Sequence, residues 1–131
     1  MRLRVITPAR VCVDCRVTRI VAEAPEGFFG MLPHHSDFVT ELVPGVLVFE
    51  HEDGGADRFV AINSGTLVKC GEDVRVAVRG ALEGDDLTLL RDRVETEFRR
   101  QDEDERDARA ALTRLEATMI RRLRDLEKVG L

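Results

Sequence analysis

At 131 residues the chain has room for one compact domain with an appendage, or for two small units. Hydrophobic residues at 44% and charged residues at 34% exclude wholesale disorder, and no apolar run approaches the ~20 residues of a membrane-spanning helix. The net charge of −5 argues against nucleic-acid binding driven by overall charge. These averages conceal a break. Residues 1–86 carry 9 Lys/Arg and 14 Asp/Glu, whereas 87–131 carry 11 of each. The first part therefore holds the whole net charge, and the second is nearly twice as densely charged. All four prolines and nine of the ten glycines precede the break. Two kinds of structure meet near Gly84, which gives expected domains of 1–84 and 85–131.

Taken in chain order, the first part reads as short strands separated by turns. Met1 to Val5 is already strand-like and lacks the apolar core of a secretory leader. Leu3–Ile6 stops at Thr7-Pro8, and Val11–Val21 is rich in β-branched residues. Gly27–Phe38 is apolar at Phe28, Phe29, Met31 and Leu32, yet its Gly, Pro and two His argue against a strand interior. It is expected to be an apolar loop, either tucked into the core or offered to a partner. Val46–Phe49 and Arg58–Ile62 flank Asp53-Gly54-Gly55, and Thr66–Val68 and Val74–Val78 flank Gly71, which predicts two hairpins. The sum is an all-β sandwich or barrel.

The second part has no internal Gly or Pro and is rich in helix formers. Asp85 is expected to cap the first helix, with Asp86 at its positive dipole end. Leu87, Leu90, Val94 and Phe98 form one narrow apolar stripe; Ala108, Leu112, Leu115, Met119, Leu123 and Leu126 form another. Gln101–Glu105 between them has no apolar residue and predicts a turn, hence an antiparallel two-helix hairpin. The alternative is one long helix with a solvated middle. The expected fold class is α+β: an N-terminal all-β sandwich or barrel, then the helical hairpin.

Candidate chemistry is sparse. Cys12 and Cys15 have C-x2-C spacing, and Cys70, His34 and His35 complete an imaginable zinc set. On a regular strand, however, positions three apart face opposite ways, so these thiols could not share a metal without a bulge. No metal and no cofactor is expected, and an odd cysteine count fits a reducing compartment. His35, Ser36 and Asp37 are adjacent, but a catalytic triad needs side chains converging from separate segments. Neither a nucleophile elbow nor a phosphate-binding glycine loop is present. In the tail, Arg121, Arg122 and Arg124 suit either a solvated helix face or an acidic partner.

Gly27-Phe28-Phe29-Gly30-Met31-Leu32-Pro33-His34-His35 and the stretch onward to Leu42 resemble a segment of the epsilon subunit of rotary F-type ATP synthases. Val60–Val68 is similar to that family's second motif, an apolar strand, a small-Gly turn and x-Leu-x-Val; Leu3–Pro8 also fits. His35–Thr40 and the ending Ile120-Arg121-Arg122-Leu123 look like its alternate N-ATPase branch. The resemblance implies a non-catalytic central-stalk rotor subunit that couples the c ring to the gamma shaft. It implies contact of Phe28, Phe29, Met31 and Leu32 with the c ring, and of His35 and Phe38 with gamma. It implies that Arg121, Arg122 and Arg124 approach beta in the alpha/beta catalytic head, where an extended tail inhibits ATP hydrolysis. The expected location is peripheral, through the complex, at the cytoplasmic face of the bacterial inner membrane.

One departure bears on nucleotide. Some members bind ATP through Ile/Leu-Asp-x-x-Arg-Ala, where this chain has Leu87-Thr88-Leu89-Leu90-Arg91-Asp92. Arg91 is kept, but Thr88 supplies no carboxylate and Asp92 adds negative charge, so ATP binding is expected to be weak or absent. Two other readings compete with the stalk subunit. One is a stand-alone sandwich module that dimerises through its helices; the other is a small zinc- or His-dependent hydrolase.

Overall fold

The computed structural model describes residues 1–128. They fall into two compact units, the first ending at Phe98 and the second beginning at Arg99.

The first unit is built on nine strands: β1 Arg2–Ile6, β2 Val11–Ala24, β3 Gly27–Met31, β4 Phe38–Leu42, β5 Gly45–His51, β6 Arg58–Ile62, β7 Gly65–Cys70, β8 Asp73–Val78 and β9 Ala81–Gly84. One layer runs β4-β7-β8-β1-β2 and the other β3-β2-β5-β6-β9. β1 and β8 are parallel, and the remaining pairs are antiparallel. β2 belongs to both layers. Its first half pairs with β1 (Leu3↔Cys15, Val5↔Val13), and its second half pairs with β5 and β3 (Ile20↔Phe49, Ile20↔Met31). The change of layer coincides with a register shift between Val17 and Arg19.

Alternation explains why these segments form strands and where the core lies. In β8 the inward Val74, Val76 and Val78 are buried, while Asp73, Arg75 and Ala77 face water. Leu3, Val5, Val17, Ile20, Leu47, Val60, Leu67, Val74 and Val76 fill the space between the layers. Each contributes about 1.5–3 kcal/mol of burial free energy. Both predicted hairpins form, β5–β6 and β7–β8. Gly65 opens β7 because nothing larger fits: a Cβ there would strike the Ala77 carbonyl oxygen and lie 2.8 Å from the Val78 Cα.

The helix α1, Leu87–Arg93, is capped by Asp86, one residue later than the expected Asp85. Asp86 Oδ1 accepts from the N–H groups of Thr88 (2.9 Å) and Leu89 (3.4 Å). A π-helical segment follows at Val94–Phe98. Leu90 and Phe98 are buried, and with Val94 they cover Ala61, Phe59 and Leu82 on the outer face of the second layer. Leu90 to Val94 to Phe98 is spaced by fours, more than the 3.6-residue period, and the wider π turn absorbs the excess. The first apolar stripe thus belongs to the sandwich unit.

The second unit contains α2, Arg99–Lys128. It passes through Gln101–Glu105 without a turn, so the expected two-helix hairpin is replaced by one continuous helix. The physical reason is that a helix with no buried residue requires no apolar residue in any given turn. Gln, Glu and Arg sustain it by propensity, and Glu105 accepts from Arg109 at 2.7 Å across the next turn. Among the described residues, no helix is long and apolar enough to cross a membrane.

Candidate functional site

Gly27–Met31 forms an edge strand rather than the expected loop; only the residues from Leu32 to Asp37 lie outside regular structure. Gly27 has a positive φ of 132°, which lets the chain reverse after β2, and β3 then pairs residue by residue with Ala24 back to Ile20. Strand alternation divides the apolar residues. Met31 is 0% exposed and sits in the core, where it anchors the segment. Phe28 at 68% and Leu32 at 61% stand in water. Phe29 is half-buried against the core and meets the Phe38 ring edge-on, centroids 5.6 Å apart. His35 also packs edge-on to Phe38, at 5.5 Å. The structure therefore gathers Phe29, His35 and Phe38 into one aromatic cluster, with Leu32 nearby in sequence and Phe28 next to Phe29 on β3.

The polar groups of this loop are engaged with backbone. His35 Nδ1 lies 2.7 Å from the Ser36 carbonyl oxygen, which can only accept, so Nδ1 carries the proton. Asp37 Oδ1 accepts from the Gly71 N–H at 2.9 Å. The His35 ring and the Asp37 carboxylate are thus held by different backbone groups, of Ser36 and of Gly71. Lys69 on β7 donates from Nζ to the His35 and Gly71 carbonyl oxygens, each at 2.6 Å. Sequence reasoning passed over Lys69, although its parity with Leu67 points it inward.

The two cysteines of the C-x2-C pair lie differently from expectation. A β-bulge between Val5 and Ile6 sets Val11 opposite Ile6 and leaves Cys12 unpaired in register. Cys12 and Cys15 both pack against the core and line one groove with Asp14, Arg58 and Glu83, the bulge supplying the exception to strict alternation. Burial pushes the Cys15 thiol up, away from the thiolate that would ligate a metal or attack an electrophile.

Arg91 is exposed on α1 and borders an open groove with Val21, Val46, Leu87 and two carboxylates, Glu23 and Glu95. In the second unit, Arg121, Arg122 and Arg124 are exposed on α2. At ~100° per residue, Arg121 and Arg124 fall opposite the stripe of Leu112, Leu115, Met119, Leu123 and Leu126, and Arg122 falls beside it, so the three make no single patch. The stripe itself is exposed within the chain.

Residues 1–84 match the family described as ATP synthase, Delta/Epsilon chain, beta-sandwich domain. The chain is 38% identical over 94% of its length to the ATP synthase epsilon chain 2 of Paraburkholderia xenovorans, covering 89% of that protein. It is also 38% identical over 94% of its length to the ATP synthase epsilon chain 2 of Cereibacter sphaeroides, covering 85% of it. In fold it is similar to a chain of the Euglena gracilis mitochondrial ATP synthase OSCP/F1/c-ring structure, with a TM-score of 0.58 at 24% identity, over 62% of this chain and 51% of that one. A chain of the Tetrahymena thermophila mitochondrial ATP synthase central stalk/c-ring structure superposes with a TM-score of 0.52 at 17% identity, over 63% of this chain and 66% of that one. The family match over residues 1–84 and the near-full-length identity agree, and the chain belongs to the ATP synthase epsilon chain family.

Proposed function

We propose that this chain is a non-catalytic rotor subunit in the central stalk of an F-type ATP synthase. In this reading it couples the c ring to gamma at the cytoplasmic foot of the complex and is peripheral to the membrane. The observation that carries it is 38% identity over 94% of the chain to a protein named ATP synthase epsilon chain 2. Phe28, Phe29 and Leu32 offer the apolar surface to the c ring, with Met31 anchoring them from within. His35 and Phe38 face gamma, and Arg121, Arg122 and Arg124 approach beta when the tail inhibits hydrolysis. Co-purification from native membranes tests the reading: gamma and the c ring are expected with the subunit, and recovery of neither overturns it.

A second reading is favoured by the exposed Leu112–Leu126 stripe: a sandwich module that dimerises through α2. Light scattering separates the two, a monomer supporting the stalk subunit and a tight homodimer the module. Nucleotide binding at Arg91 is expected to be weak, because Glu23 and Glu95 border the same groove and repel a polyphosphate. Titration of the subunit with ATP by calorimetry checks this, and micromolar affinity overturns it.

A further inference from the structure

Lys69 has only 3% of its surface exposed. Burying an ammonium is costly, and an apolar side chain of similar length would fill this inward position on β7 without that cost. The charge must therefore be held by specific acceptors, and both of them are backbone. Nζ donates to the carbonyl oxygen of His35, 34 positions away in sequence, and to that of Gly71 in the β7–β8 turn. Gly71 turns at φ 60° and gives its own N–H to the Asp37 carboxylate, which brings negative charge to the same turn residue. Ammonium, turn and carboxylate close a knot around residues 35–37. Beside it stand the His35 N–H bond to Leu32 O at 2.9 Å, the His35 Nδ1 bond to the Ser36 carbonyl oxygen, and the edge-on packing of His35 and Phe38.

We propose that Lys69 is a positioning residue that holds the Leu32–Phe38 loop in one conformation, so that Leu32 meets the c ring, and His35 and Phe38 meet gamma, as a preformed surface. The cost of ordering these side chains is then met on folding instead of on docking. The proposal rests on the reading of this loop as a docking surface.

Lys69→Met keeps the stem packing and removes both hydrogen bonds. In the free full-length subunit, amide exchange at residues 34–38 is expected to accelerate by about tenfold to a hundredfold. Amides of β1 and β8 keep their protection relative to one another. The His35 ring proton resonances are expected to move towards those of free histidine as Phe38 swings away. Affinity for purified gamma bound to the c ring is expected to fall about tenfold. Asp37→Ala, on the surface, loosens the same knot without touching the core and is expected to give a smaller shift of the same kind.

Wild-type exchange and wild-type His35 resonances in both variants would overturn the proposal. So would acceleration spread evenly over the whole sandwich, because Lys69 would then be a stability residue only. Leu32→Ser and His35→Ala, with Lys69 intact, read the docking surface itself. Undiminished binding by both would overturn the docking half, while the exchange data would still report the hold of Lys69 on the loop.

Discussion

The two units of this chain obtain their shape by opposite means. In the sandwich, alternation buries every second residue between layers, and the fold is set by what is hidden. In α2 no residue is buried, and the helix persists through propensity and local pairs such as Glu105–Arg109. A region of the first kind tolerates few changes in its interior. A region of the second kind tolerates many, and it can shift position without breaking a core of its own. Composition had marked the change of regime at Asp86, but packing puts it at Phe98, because Leu90 and Phe98 belong to the sandwich.

The sharpest way to break the first regime is Gly65→Ala. The new methyl collides with backbone atoms of β8 that cannot move aside, and a loss of about 3 kcal/mol or more is expected in urea denaturation. Next comes a pair of truncations. Ending the chain at Phe98 is expected to leave sandwich stability within ~0.5 kcal/mol, because α2 buries nothing of its own. Ending it at Gly84 removes Leu90 and Phe98 from the Ala61 face and is expected to cost about 3 kcal/mol. Equal stabilities of the two fragments would return the boundary to residue 84.

Asp86→Ala is smaller, at about 1 kcal/mol, and should appear as faster amide exchange at Thr88 and Leu89 with little change in β1 or β8. The smallest effect concerns acid. The hydrogen bond from Arg2 holds the Asp14 carboxyl below its ordinary range. Its contribution is thus complete above the unfolded value of ~3.9 and fades as pH falls through the lower folded value. Asp14→Asn is expected to be slightly less stable than wild type at pH 7 and equal to it in strong acid. Salt should erase most of the difference, because both partners are solvent-exposed.

Much of the sandwich was legible from sequence, because its hairpins carry both signals at once: alternation along Val74–Val78 and glycine at the turns. What was missed lies where one-dimensional patterns have no purchase. β3 carries Gly27 and Gly30 with apolar residues of both parities, as suits an edge strand with a wet side, and this reads as a loop. Apolarity alone does not say that Met31 is inside while Leu32 is outside; pairing with Ile20 decides it. The bulge at Cys12 depends on register with Ile6, and nothing local announces it. Gln101–Glu105 reads as a break only if every helical turn is assumed to need a buried face. Lys69 carries a parity signal, but its acceptors are carbonyls, which no side-chain motif encodes.

Membership of both layers gives β2 a mechanical consequence. Contacts between stacked layers are non-directional, and by themselves they oppose sliding of one layer over the other only weakly. Here a single covalent strand crosses from one to the other, hydrogen-bonded to β1 on the first side and to β3 and β5 on the second. Shear between the layers must therefore stretch backbone and break ladder bonds before the core can slip. A force applied at β3, beside Phe28 and Leu32, would reach β1 and β8 along this tie, so the domain is built to resist shear as one stiff body and not as two plates on a greased interface.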